Sequence, residues 1–359
     1  MKFIDLKGRY SSIKKKLIKD LDNFNYGDFI LNKDIDNLEK KLAKISGYKY
    51  CVLVSSGTCA LLAAFLSINL KKGDEILSTG FSWVSIVNIS QLLGLKIKFC
   101  DINLDDLNIC TKDIKRKITK KTKAIIPASL FGTKIDVTEI NRIAKRNNIR
   151  VIEDNAQSFG HNLFSKNKLK SEIMTTSFFP TKTLGSFGDM GAIFVDKKNL
   201  FEKIKKIRNH GNSKEKINFG LNLRPQLFQA KVLQNMLPKF KSELKLRRKI
   251  GKKYNQIINN YEEWNLPKAN FNNENIFSYY NILVRDRNKV IKDLKKLGIP
   301  TKVYYSEALY DHEYFKKKPK KIKNVEFVKK NILSLPIHLH NEKNMSFFYK
   351  KIKYYLKNK

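Results

Sequence analysis

Apolar positions along this chain recur in short runs of two kinds. Over 34–46, DIDNLEKKLAKIS, the residues Ile35, Leu38, Leu42 and Ile45 fall on one helical face. Asp34 is placed to cap that helix and Gly47 to close it. Tyr50–Val54 is a continuous apolar run of strand type, SSGT follows at 55–58, and ALLAAFLSINL reads as a helix. A Lys71-Lys72-Gly73-Asp74 turn leads to a strand from Glu75, a helix over 84–94 and a strand over 96–100. A strand over 123–127, a helix over 137–147 and a strand over 150–154 continue the alternation. Strand–helix–strand repetition with strands apolar on both faces predicts an α/β fold with a mostly parallel sheet wrapped by helices. In such sheets ligands collect at the carboxyl ends of the strands.

The stretch 175–195, TTSFFPTKTLGSFGDMGAIFV, reads as strand, irregular loop, strand. Its loop carries Lys182, followed by Gly185, Gly188 and Gly191. A lysine there is either one more solvated charge or an amine presented to a carbonyl cofactor, where desolvation makes it nucleophilic. From about Gln226 the pattern changes. A long helix over 229–259 bridges to a smaller region with strands over 279–284 and 301–305, a helix over 289–297 between them and a last amphipathic helix over 345–356. Two domains are expected, a large one over 1–240 and a small C-terminal one over 241–359.

Composition changes this picture in one respect. The 359 residues are 42% hydrophobic, which fits a globular protein, but the formal net charge is +39. Such a charge raises nucleic acid or another polyanion as a partner. The lysines are spread over almost every predicted helix and not gathered in one arm. That pattern favours solvated faces that ease the approach of an anionic substrate. The run over 316–323 is read as a solvated loop. Cys51, Cys59, Cys100 and Cys110 form no Cys-x-x-Cys pair and sit beside apolar runs, as reduced core thiols do. The five histidines show no ligand spacing with them, so no metal is expected. The N-terminus lacks an apolar targeting segment and no run is long enough to span a bilayer, so a cytoplasmic protein is expected.

Three further positions can carry chemistry. Ser56, Gly57 and Thr58 open a helix after a strand; they are either a helix cap or an anion cradle of backbone N–H groups and hydroxyls. Asp154 ends the strand RVIED, where it is either a helix cap or a carboxylate for a cationic ring nitrogen. Its neighbour Glu153 should face the other side of the strand. Trp83, in GFSWVS, either packs in the core or covers a flat ring. Taken with Lys182, these are the groups that a phosphorylated, protonated pyridine aldehyde needs.

The motifs FIDLKGRYSSIKK, SSGTCALLAAF, GDEILSTGFSWVSIVN, IIPASLFGTKIDV, VIEDNAQSFGH, SFFPTKTLGSFGDMGAIFV, RNHGN, GLNLRPQLFQA, GIPTKVYY and SLPIHLH follow one another along the chain. In that order they resemble the DegT/DnrJ/EryC1/StrS family of pyridoxal-phosphate-dependent sugar aminotransferases. The resemblance implies an aspartate-aminotransferase-like (type I) fold and pyridoxal 5'-phosphate as cofactor. It implies Lys182 as the cofactor-linking lysine, Asp154 as partner of the ring nitrogen and Gln157 at the ring hydroxyl. Trp83 would stack on the ring. Ser56, Gly57, Thr58 and Ser177 would hold the phosphate, with Asn222 reaching it from a neighbouring subunit of a homodimer. Arg224 and His338 are candidates for the substrate. L-Glutamate would donate an amino group to a nucleotide-linked keto-sugar, for amino-sugar or surface polysaccharide synthesis. Lysine at 182, where dehydratases of the family carry histidine, points to transamination. The wording SFGDMGA favours a 3-keto over a 4-keto sugar. The substrate loop reads YYSEALY at 304–310 where the family has a proline after the tyrosines, which leaves the sugar open. The alternative is a basic, non-catalytic nucleic-acid or polyanion-binding protein on the same scaffold.

Overall fold

A computed structural model describes residues 1–24, 31–165, 170–211, 219–315 and 320–359. Seven strands form the larger sheet: β1 (Tyr50–Val54), β2 (Glu75–Thr79), β3 (Lys96–Cys100), β4 (Thr122–Ile126), β5 (Arg150–Asp154), β6 (Ile173–Ser177) and β7 (Gly191–Val195). Their order is β1-β7-β6-β5-β4-β2-β3. The pairs from β3 across to β6 are parallel, and β7 alone runs antiparallel, to both β6 and β1. The mostly parallel sheet expected from the alternation is therefore present.

Apolar runs without period-two polarity make sense here, because both sheet faces are covered. Along β1, Val52 and Val54 join one core cluster while Cys51 and Leu53 join another. Along β7, Ile193 and Val195 divide from Ala192 and Phe194 in the same way. Helix Gly57–Ser67 lies on the first face, against β6 and β7. Its N-terminal approach leaves no room for side chains: a Cβ on Gly191 would sit 2.3 Å from the Ser56 carbonyl oxygen. Helix Lys33–Ser46 lies on the other face and ends, as read, on Gly47 at φ 82°. Its cap is Asn32, not Asp34: the Asn32 side chain accepts from the Asp34 and Ile35 amides. Asp34 falls in the first turn instead, 2.8 Å from Lys231.

Helix Leu227–Ile258 is the expected long bridge, and the division expected at 240/241 falls inside it. Beyond it a second sheet has the order β10-β9-β8, from β8 (Trp264–Asn265), β9 (Tyr280–Val284) and β10 (Ile332–Leu335). The strand expected over 301–305 does not form. The segment meets the outer edge of β10 at one bridge, from Lys302 to Ser334, and then leaves the sheet for the cavity wall, where Tyr304 and Tyr305 lie. Helices Arg287–Lys296 and Glu342–Lys357 are where the periodicity put them. Half of the run over 316–323 lies outside the described residues; Lys323 itself opens helix Lys323–Asn331. Cys51 and Cys100 are buried, Cys59 and Cys110 partly so, and all four are free thiols.

Candidate active site

A cavity of about 400 Å³ opens at the carboxyl ends of β1, β2, β4, β5 and β6. That volume lies in the range of small-molecule sites. Its wall includes Ser56, Gly57, Thr58, Trp83, Asp154, Gln157, Ser177 and Lys182. The structure thus gathers eight of the residues singled out in the sequence. Two wider surface clefts, of about 720 and 760 Å³, are lined by scattered charged and amide side chains and contain only His338 of that set.

Each wall residue has a local reason for its place. Ser56 caps helix Gly57–Ser67 by accepting from the Cys59 amide at 3.0 Å. The first-turn amides of Gly57 and Thr58, which a helix leaves without intrahelical partners, belong to the cavity wall. The cap and the candidate anion cradle therefore coincide in one stretch. Ser177 closes it from β6: a Cβ on Gly57 would lie 2.7 Å from the Ser177 Cβ. Thr58 Oγ1 is 2.9 Å from Ser85 Oγ. Trp83 is 58% exposed, which removes the core-packing reading, and its ring centroid is 6.0 Å from that of Tyr305 at 45°.

Asp154 ends β5, where its Oδ1 accepts from the Ala156 amide at 3.0 Å. Glu153 points the other way, as strand alternation requires, and accepts from Ser129 and Ser171. Burial raises the Asp154 carboxyl pKa, while the Ala156 amide and the Lys182 ammonium draw it down. Burial lowers the Lys182 pKa against the pull of Asp154. The cavity thus disfavours both charges and keeps the amine closer to its neutral, nucleophilic form. Gln157 is held at both ends, with Oε1 accepting from Phe131 N–H at 3.1 Å and Nε2 donating to Tyr305 Oη at 2.7 Å.

Three expected residues stand elsewhere. Asn222 is exposed and pairs through its backbone with Asn209. Arg224 donates to Asn209 Oδ1 at 2.8 Å. His338 is buried, with Nε2 2.9 Å from the Lys2 carbonyl and Nδ1 3.0 Å from Asn344 Nδ2, so its ring pins the N-terminus. Conversely, Asp189, Tyr279, Tyr304 and Tyr305 line the cavity without having been singled out. The doublet YY in the substrate loop was the available signal for two of them.

The donor set fits pyridoxal phosphate: an amine for the aldehyde, a carboxylate for the ring nitrogen, amides and hydroxyls for the phosphate, and an indole for the ring face. Comparison with known proteins agrees. A match to the DegT/DnrJ/EryC1/StrS aminotransferase family spans residues 12–345. This chain belongs to that family. The chain is therefore a pyridoxal-phosphate-dependent aminotransferase, as the sequence motifs imply, and the non-catalytic alternative gives way. The chain is 34% identical to the UDP-2-acetamido-2-deoxy-3-oxo-D-glucuronate aminotransferase of Pseudomonas aeruginosa, over 94% of this chain and 95% of the relative. It is 27% identical to the UDP-N-acetyl-3-dehydro-alpha-D-glucosamine 3-aminotransferase of Acidithiobacillus ferrooxidans, over 93% and 92%. The crystal structure of a DegT/DnrJ/EryC1/StrS aminotransferase from Brucella abortus superposes with a TM-score of 0.90 at 27% identity, covering 99% of both chains. The aminotransferase fold expected for the chain is therefore present. Among the described residues no helix is long and apolar enough to cross a membrane, and no cluster of three or more His, Cys, Asp or Glu side chains could hold a metal.

Proposed function

We propose that the protein transfers the amino group of L-glutamate to a nucleotide-linked keto-sugar, with a 3-keto sugar favoured over a 4-keto one. The observation that carries this reading is the meeting of Lys182 and Asp154 in one cavity at the sheet's carboxyl edge. The 3-keto preference is supported by the GDMG wording of 188–191 and by two relatives whose names specify 3-oxo or 3-dehydro sugars.

Bound pyridoxal phosphate would supply an aldehyde and a protonatable ring that withdraws electrons from the reacting carbon. Lys182 Nζ would be the group that holds the aldehyde and, as a free amine, would move a proton at the glutamate α-carbon. The same nitrogen returns a proton when the sugar's keto carbon receives the amino group. Asp154 would hold the ring nitrogen's proton. Gly57 and Thr58 amides with the Ser56 and Ser177 hydroxyls would hold the phosphate, Trp83 would cover the ring, and Gln157 would serve the ring hydroxyl. Two half-reactions at one cavity give ping-pong kinetics. In this reading the enzyme is a cytoplasmic homodimer serving amino-sugar or surface polysaccharide synthesis, with Asn222 reaching the neighbouring subunit's phosphate. Arg224 remains a substrate candidate, while the buried contacts of His338 argue against a direct role for it.

The test is a panel of UDP- and dTDP-linked 3-keto and 4-keto sugars, each incubated with enzyme and glutamate and followed by mass spectrometry. A product carrying nitrogen at C3 is expected. Formation of 2-oxoglutarate without an aminated sugar from any member would contradict the reading.

A further inference from the structure

The motif FIDLKGRY opens the chain and has no role in the site as described above. Its helix, Leu6–Ser11, is capped by Asp5, which accepts from the Gly8 amide. Arg9 on this helix is only 3% exposed, among the most buried cations of the chain. Its Nη1 donates to the Lys182 carbonyl at 2.8 Å, and its Nη2 donates to the Thr183 carbonyl. Nη2 also lies 3.1 Å from Glu243 Oε2, on the long helix. Glu243 in turn has Oε1 3.3 Å from His340 Nε2. The next residue, Tyr10, donates from Oη to the Ser186 carbonyl at 2.6 Å and lies 3.2 Å from the Pro180 carbonyl. Its ring meets Phe187 edge-on at 4.5 Å.

These contacts reach across 173 residues and engage four carbonyls on both sides of the Lys182 side chain. The loop they hold is irregular and tight. Lys182 N–H bonds back to Phe179 at 2.9 Å, and a Cβ on Gly185 would sit 2.6 Å from the Pro180 carbonyl oxygen. A guanidinium suits two successive carbonyls because its N–H groups are fixed in one planar fork; an ammonium is a point donor.

We propose that Arg9, assisted by Tyr10, is a positioning residue that sets where the Lys182 amine points and how far it is withdrawn from water. The proposal rests on the reading of Lys182 as the cofactor-linking residue. The direction of the Lys182 pKa, lowered by burial, agrees with it. The titratable groups lining the cavity with Lys182 are Asp154, Asp189, Tyr279, Tyr304 and Tyr305, whereas Arg9 bonds to the Lys182 and Thr183 carbonyls and pairs with Glu243. Loosening the clamp lets the loop relax toward solvent, so the amine pKa returns toward the ordinary lysine value.

The test measures the rate at which cofactor-stripped enzyme captures pyridoxal phosphate, as a function of pH. In that step the neutral Lys182 nitrogen adds to the aldehyde carbon and one water leaves, so the midpoint of the rate profile reports the amine pKa. Arg9→Lys keeps the charge beside Glu243 but loses the fork. Its midpoint is expected to rise by about one unit, slowing capture roughly tenfold at neutral pH, because each unit changes the neutral fraction tenfold. Tyr10→Phe should shift the midpoint the same way by less. A lowered Tm with an unmoved midpoint and capture rate would overturn the proposal and leave Arg9 a structural tether. If Arg9→Lys does not fold, an unmoved midpoint in Tyr10→Phe overturns it equally. Borohydride fixation of the wild type separates the two readings. Label away from Lys182 removes the underlying assignment, whereas label on Lys182 with unmoved midpoints removes only the clamp.

Discussion

Replacing Asp154 with asparagine keeps the shape of the side chain and removes its charge, and its effects should have opposite signs with and without cofactor. In the free cavity, burial raises the Asp154 carboxyl pKa, and the Ala156 amide at 3.0 Å and Lys182 only partly offset this. A carboxyl with a folded pKa above its unfolded value binds more protons folded. Stability therefore falls as pH rises from the unfolded value through the folded one. At neutral pH, Asp154→Asn removes that penalty, so the cofactor-stripped variant should have a Tm equal to or above wild type. Cofactor reverses the order, because the carboxylate then faces a ring nitrogen that can carry a proton. A hydrogen bond involving a charged group contributes about 1.5–3 kcal/mol and a neutral one about 0.5–1.5 kcal/mol. The difference of about 1–2 kcal/mol corresponds to roughly 5- to 30-fold in affinity or rate. The assays are kcat at saturating cofactor and the gain in Tm on adding pyridoxal phosphate. Both should be smaller in the variant. A kcat within about twofold of wild type, a difference of about 0.4 kcal/mol, would refute the reasoning.

Two other substitutions probe the frame around the site. Gly57→Ala places a Cβ 2.7 Å from the Ser177 Cβ, at the mouth of the phosphate cradle. Equilibrium dialysis should show weaker cofactor binding, and an unchanged Kd would mean that the cradle lies elsewhere. Arg208→Met strips a buried Glu39 of the Nη1 partner 2.6 Å away, leaving the Leu53 amide as its remaining donor. The cost should be about 3–5 kcal/mol, as for other broken buried ion pairs, read as a lowered urea midpoint with the same slope. A loss below about 1 kcal/mol would place that pair among the weak surface type.

What was legible in the sequence follows from where each signal resides. β5 was readable to the residue because an apolar run ending in Glu153-Asp154 is a local pattern. The meeting of Lys182, Asp154 and the SSGT segment at one cavity was readable because each is a chemically distinct group near a predicted strand end. The strand expected over 301–305 failed for a tertiary reason: after one bridge to Ser334 the segment leaves the edge of β10, and Tyr304 and Tyr305 line the cavity instead. Tyr279 was missed as a site residue because it reaches the cavity from the smaller sheet's side of the chain, and its spacing carries no trace of that approach. Arg9 was hidden more completely. In a chain of net charge +39 a basic residue on a six-residue helix reads as surface, and only the folded loop shows what it holds. His338 shows the converse: its place in SLPIHLH resembles a substrate contact, while its ring is spent on Lys2 and Phe3 carbonyls.

The most direct measurement of the central claim is peptide mapping after borohydride reduction of protein loaded with pyridoxal phosphate. The reduced cofactor should be found on the peptide carrying Lys182 and on no other active-site lysine, and Lys182→Ala should carry none. Label on a different residue, or unchanged labelling of the Lys182→Ala cavity, would contradict the account.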